Sequence, residues 1–115
     1  MSTSDGLPTG SATTETTMDG IARIAAERKR QTEVEGWTTE HDAEHVDGSL
    51  ATAASIYAMP PRNRLIRGDG GAPLGWPWAY SWWKPTPKDR VRELEKAGAL
   101  IAAEIDRILR ERADV

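Results

Sequence analysis

The last quarter of the chain most constrains what it can fold into. Val91, Leu94, Gly98, Ile101, Ile105 and Ile108 recur at alternating steps of three and four residues. That spacing puts them on one side of a helix, as an a/d seam with a small residue in its middle. Ahead of it, Thr86-Pro87-Lys88-Asp89 offers an N-cap, a proline at the first helical position and an acidic residue at the third. The pattern predicts a helix over 87–112, about 39 Å long at a rise of 1.5 Å per residue. Asp106 with Arg110 and Glu104 with Arg107 add charge pairs along it. The other helical patterns are too short to cover such a rod, so self-association along part of the seam is expected. Gly98 would let a partner helix approach closely, at a propensity cost of about 1 kcal/mol.

Two shorter helices precede it. Asp19 is a candidate N-cap for a helix over 19–34, with Ile21, Ile24, Ala25 and Val34 as a narrow apolar stripe and Gly36 as its stop. Asp47 caps a second, over 48–58, whose apolar set is Leu50, Ala53, Ala54, Ile56, Tyr57 and Ala58. Pro60 and Pro61 end it. No run sustains period-2 alternation. The expected fold is therefore all-α: a small bundle of about three helices, forming one domain over 18–115. Residues 1–17 contain only Met1 and Leu7 as large apolar residues among Ser, Thr, Gly and Pro. Such a segment buries too little to offset its ordering entropy and reads as a disordered tail.

Composition excludes several classes. With 15 basic and 18 acidic residues the net charge is −3, which rules out a basic nucleic-acid coat. The absence of cysteine excludes disulfides, thiol catalysis and zinc-thiolate sites. No stretch approaches the roughly 18 apolar residues of a membrane span. The first residues lack a basic and then apolar leader, so a cytoplasmic protein is expected.

Three groups of residues carry chemistry. Glu40, His41, Asp42, Glu44, His45 and Asp47 stand close together, and both histidines of the chain are among them. On a helix, His41 and His45 share a face, the spacing by which helices present metal ligands. The run also matches the H-x-x-E-H pattern of inverted zinc peptidases. A core this small offers those enzymes neither the third ligand nor the cleft. A Mg²⁺ or Mn²⁺ site is the softer reading, with Asp42, Glu44, Asp47, Glu27, Glu93, Glu104 and Asp106 as the available carboxylates and Asp42, His45, Asp47 and Glu104, with Glu27, as the favoured set. A plain solvated helix start would use the same residues. The second group is aromatic: Trp76, Trp78, Trp82 and Trp83 lie in the Pro-, Gly- and Trp-rich connection over 59–86, in a chain without phenylalanine. A connection this long is either functional or pinned by its aromatic side chains. Its indoles can complete the core or stack on a base. The third group is basic. Arg62, Arg64 and Arg67, followed by Gly68-Asp69-Gly70-Gly71, combine guanidinium groups with open backbone N–H groups, which suits phosphate. Lys84 belongs with them. A mobile surface loop would look similar, and the glycines match neither dinucleotide nor P-loop spacing.

Three blocks in order carry a resemblance. They are Glu27-Arg28-Lys29-Arg30-Gln31 with Glu35-Gly36-Trp37-Thr38; Glu40-His41-Asp42, His45, Gly48, Leu50, Ala53-Ala54 and Tyr57-Ala58; and Trp76-Pro77-Trp78, Trp82-Trp83-Lys84-Pro85 and the run from Lys96 to Arg107. Over residues 21–110 the chain resembles a family of small uncharacterised proteins encoded by bacteriophages and prophages. It is more distantly similar to the MazG-like all-α nucleoside triphosphate pyrophosphohydrolases, which order an E-R-x-x-Q helix, an acidic linker, a carboxylate-bearing helix and an Ala-rich helix in this way. That similarity implies a nucleotide or nucleotide-derived ligand and Mg²⁺. Phosphates would meet Arg62, Arg64, Arg67 or Lys84, and a base would stack on Trp76, Trp78 or Trp82. Ser49 stands where the related sequences carry Glu, and no Glu-x-x-Glu follows on that helix. The similarity thus implies the fold more than the catalysis. The alternative is a non-catalytic phage product that engages a host protein through its Trp-rich surface.

Overall fold

The heptad pattern does form a helix. A computed structural model describes residues 18–37, 45, 47–66 and 71–113 and contains three α-helices: α1 (Gly20–Glu33), α2 (Ser49–Ala58) and α3 (Arg90–Ala113). The expected tail over 1–17 lies outside the described residues. No sheet forms among them; the one extended pairing is an isolated bridge between Ile66 and Pro73. The protein is all-α, and no helix among the described residues is long and apolar enough to cross a membrane.

α1 starts as its sequence suggests, with Asp19 Oδ1 accepting the Ala22 N–H at 3.0 Å. α2 starts at Ser49 after Gly48, whose φ of 82° is left-handed. Asp47 still serves this end by accepting the Ser49 N–H at 3.1 Å. α3 begins three residues later than expected. Its cap is Asp89, which takes the Arg92 N–H at 3.1 Å, and not Thr86. The Thr86 N–H is drawn away to Glu93 Oε2 at 3.1 Å, and Thr86 closes a turn by accepting the Asp89 N–H at 2.8 Å.

α3 is the hub: α1 and α2 both pack on it. Leu50, Ala53, Ala54 and Tyr57 of α2 meet Ala97, Leu100 and Ala103 of α3. Alanines on both sides let the axes come close but bury little apolar area. The shortfall is met by rings: Trp37, Trp76, Trp78 and Trp83 pack half-buried against this core. Trp76 sits 5.5 Å from Trp78 and 5.0 Å from Trp83, while Tyr57 lies 4.7 Å from Trp83. Each half-buried indole removes on the order of 100 Å² of apolar surface from water, roughly 2–3 kcal/mol. The long connection is thus pinned by its aromatic side chains, with short 3₁₀ turns at Pro61–Asn63 and Tyr80–Trp82.

Two expected apolar faces are corrected. On α1, Ile21 is 82% and Val34 72% exposed, Ala25 is exposed, and Glu27 and Gln31 are buried instead. The reason is that α3 offers Arg92 to this face, and a paired carboxylate can be buried where an unpaired one cannot. On α3, the buried residues are Glu93, Ala97, Ala99, Leu100, Ala103 and Arg107, and most of the a/d seam faces outward. Gly98 does admit a helix, but that helix is α1: a Cβ here would lie 2.4 Å from Ile24 Cδ1.

Candidate functional site

Polar residues of α1 at positions 27, 30 and 31 share one helix face and look toward Arg92, Lys96 and Leu100, which follow each other by one turn on α3. Between these faces lies a cavity of about 230 Å³. The chain leaving α1 closes one side. Gly36 turns it at a φ of 74°, and the Trp37 N–H reaches back to the Gln31 carbonyl at 3.0 Å. That places Glu35 and Trp37 in the wall. Tyr57 of α2 and the loop residues Trp82 and Lys84 complete it. The Lys84 N–H donates to Tyr57 Oη at 3.0 Å, and the Lys96 ammonium donates to the Lys84 carbonyl at 2.7 Å, so the loop is fastened at this point.

The carboxylates of the cavity are spent on arginines. Arg30 reaches Glu27 at 2.8 Å and Glu35 at 3.0 Å. Arg92 reaches Glu27 at 2.7 Å and Glu95 at 3.0 Å, and Glu95 meets Arg23 at 3.3 Å. Burial pushes the Glu27 carboxyl up, but hydrogen bonds and charge from Arg30 and Arg92 outweigh it and hold Glu27 below its usual range. Lys96 is pulled the other way. Burial, and then repulsion from Arg92, hold its ammonium below the ordinary lysine range. It lies 5.6 Å from the Tyr57 ring centroid, a cation–π contact. Lys84 makes no ion pair among the described residues. Gln31 is buried; its amide donates to Glu27 at 3.3 Å while its Oε1 has no partner. Four cations, Arg30, Lys84, Arg92 and Lys96, thus face two carboxylates across a wall that includes Trp37, Tyr57 and Trp82.

The candidate ligand residues separate. Trp82 and Lys84 line the cavity, as does Glu27. Trp76 and Trp78 belong to the aromatic layer over the core. Arg62 stands exposed on the first 3₁₀ turn, and Arg67 lies outside the described residues. Arg64 is buried. Its guanidinium forks onto Glu93 at 3.0 and 3.1 Å and donates to the Ile56 and Tyr57 carbonyls at 2.9 Å, which commits it to the interior rather than to a phosphate.

The described members of the expected Mg²⁺ set do not gather either. His45 Nδ1 lies 3.2 Å from Ser49 Oγ, with its ring 5.0 Å from Trp78. Asp47 serves the start of α2, and Glu104 is held by Arg107 at 2.8 Å. Asp42 lies outside the described residues, among which no group of three His, Asp or Glu side chains forms.

Sequence reasoning passed over Arg30, Gln31, Glu35, Trp37, Tyr57, Arg92 and Lys96 as site residues. The usable signal was polar side chains at helical spacing on what must be an inner face. All but Arg92 stand in the short blocks that carry the phage-family resemblance. No family model matches the chain, and no curated protein or solved structure is significantly similar to it.

Proposed function

We propose that the protein binds a small planar anion of the nucleotide class in the cavity between α1 and α3. One observation carries this reading: four cations and three aromatic rings line the same cavity, whose two carboxylates are already paired. The uncompensated charge asks for an anion, and Trp37, Tyr57 and Trp82 offer faces and edges to a ring. The size suits one ring system and one anionic group better than an extended triphosphate. The sequence resemblance to phage-encoded proteins and, more distantly, to MazG-like enzymes would suit this ligand class, as would a host cytoplasm.

Titration of the tryptophan fluorescence with nucleoside mono-, di- and triphosphates and cyclic nucleotides tests it. Saturable quenching is expected for at least one of them. Lys84→Ala should weaken that binding about tenfold, as loss of a charge-assisted contact does. Parallel titrations with Mg²⁺ and with EDTA test the metal-dependent, hydrolytic form expected from Asp42, His45, Asp47 and Glu104. A flat response to every nucleotide, or full binding by Lys84→Ala, overturns the reading.

A second reading rests on Tyr80 and Trp82, each 45% exposed on the second 3₁₀ turn. These rings suit docking on a host protein. Such docking would depend on Tyr80, which does not line the cavity, and would be indifferent to Lys84.

A further inference from the structure

One side of α3 carries large apolar side chains that neither α1 nor α2 covers. Val91 is 52% exposed, Leu94 44%, Ile101 48%, Ile105 51% and Leu109 51%. The gap in this row at Gly98 is filled from outside the helix, because the end of Ile24 lies where a side chain at Gly98 would begin. Ile21, one turn before Ile24 on α1, is 82% exposed. The row lies away from Arg92, Lys96 and Leu100, the residues that α3 turns toward the cavity.

We propose that this face pairs with the same face of a second copy, with the two α3 helices antiparallel. The a/d spacing is self-complementary in that direction. Val91 falls opposite Ile108 of the second copy, Leu94 opposite Ile105, and Ile24, seated at Gly98, opposite Ile101. Antiparallel alignment sets the helix dipoles head to tail. The exposed side chains named here offer roughly 500 Å² per copy, so a two-fold pair that covers them fully buries on the order of 1,000 Å², the lower limit for a biological interface. The chain's own residues 1–17 are a poor cover, since Met1 and Leu7 are their only large apolar side chains.

The chain has no cysteine, so single introduced thiols report contacts without background. Light scattering on the full chain should give a dimer at micromolar concentration. Ile105→Lys, at an exposed site, should keep the helical spectrum and cooperative melting of the parent while weakening association more than about tenfold. Leu94→Cys alone should not cross-link. A mixture of Leu94→Cys and Ile105→Cys proteins should give a cross-linked pair under mild oxidation. A monomeric parent chain overturns the proposal, as does association unaffected by Ile105→Lys. Self-linking of Leu94→Cys overturns the antiparallel register.

Discussion

Glu93 has no exposed surface and yet is held charged. Burial pushes its carboxyl up, but Arg64, the Thr86 N–H and Arg90 together hold it below the usual range. The cluster also closes the end of α2. Arg64 donates to the Ile56 and Tyr57 carbonyls, and Arg90 to those of Tyr57, Ala58 and Met59. These are orphan acceptors of a helix C-terminus, which the basic side chains satisfy. One ion pair thus ties α2, the loop and α3 together. Glu93→Ala leaves Arg64 buried without its counter-ion and should cost about 3–5 kcal/mol in urea unfolding. Adding Arg64→Met should recover only part of that loss, because the α2 carbonyls then lose their donors.

At the scale of elements, α1 is held differently from α2. α2 docks through alanines, Leu50 and Tyr57, whereas α1 docks through an alternating row of charges and the single wedge of Ile24 at Gly98. The wedge makes a sign-reversing prediction. In the parent chain, Gly98→Ala should destabilise by about 1–2 kcal/mol, because overpacking against Ile24 outweighs the gain in helix propensity. In an Ile24→Ala background the same substitution should stabilise by up to about 1 kcal/mol, since only the propensity gain remains. Thermal melts of the four proteins measure this as a double-mutant cycle. The row of charges explains why an apolar stripe over Ile21, Ile24, Ala25 and Val34 misread this helix. Apolar periodicity locates the inner face only when that face is apolar. Here α3 supplies arginine to the inner face, and charged residues become the buried ones.

At the scale of the whole molecule, the two buried carboxylates among the described residues, Glu27 and Glu93, have folded pKa values below their usual 4.5. Their stabilisation is complete above the unfolded value and is lost as pH falls through the depressed folded values. Urea midpoints should therefore hold steady from neutral pH to about 5 and fall below about 4, and Glu93→Gln should flatten that acid limb. Much of the architecture was legible residue by residue. The three helices, the cap at Asp19, the breaks at Pro60 and Pro61 and the seam of α3 follow from periodicity and turn chemistry, which are local. The candidate site was legible only at Glu27, Trp82 and Lys84. The partner of each buried charge was not legible. Arg64 with Glu93 and Glu27 with Arg92 join positions far apart in the chain, and an isolated arginine reads the same whether it will meet a phosphate or a carboxylate. Local spacing therefore decided where helices run, while the packing of α1 and α2 onto α3 decided which charges are spent inside and which still face the cavity.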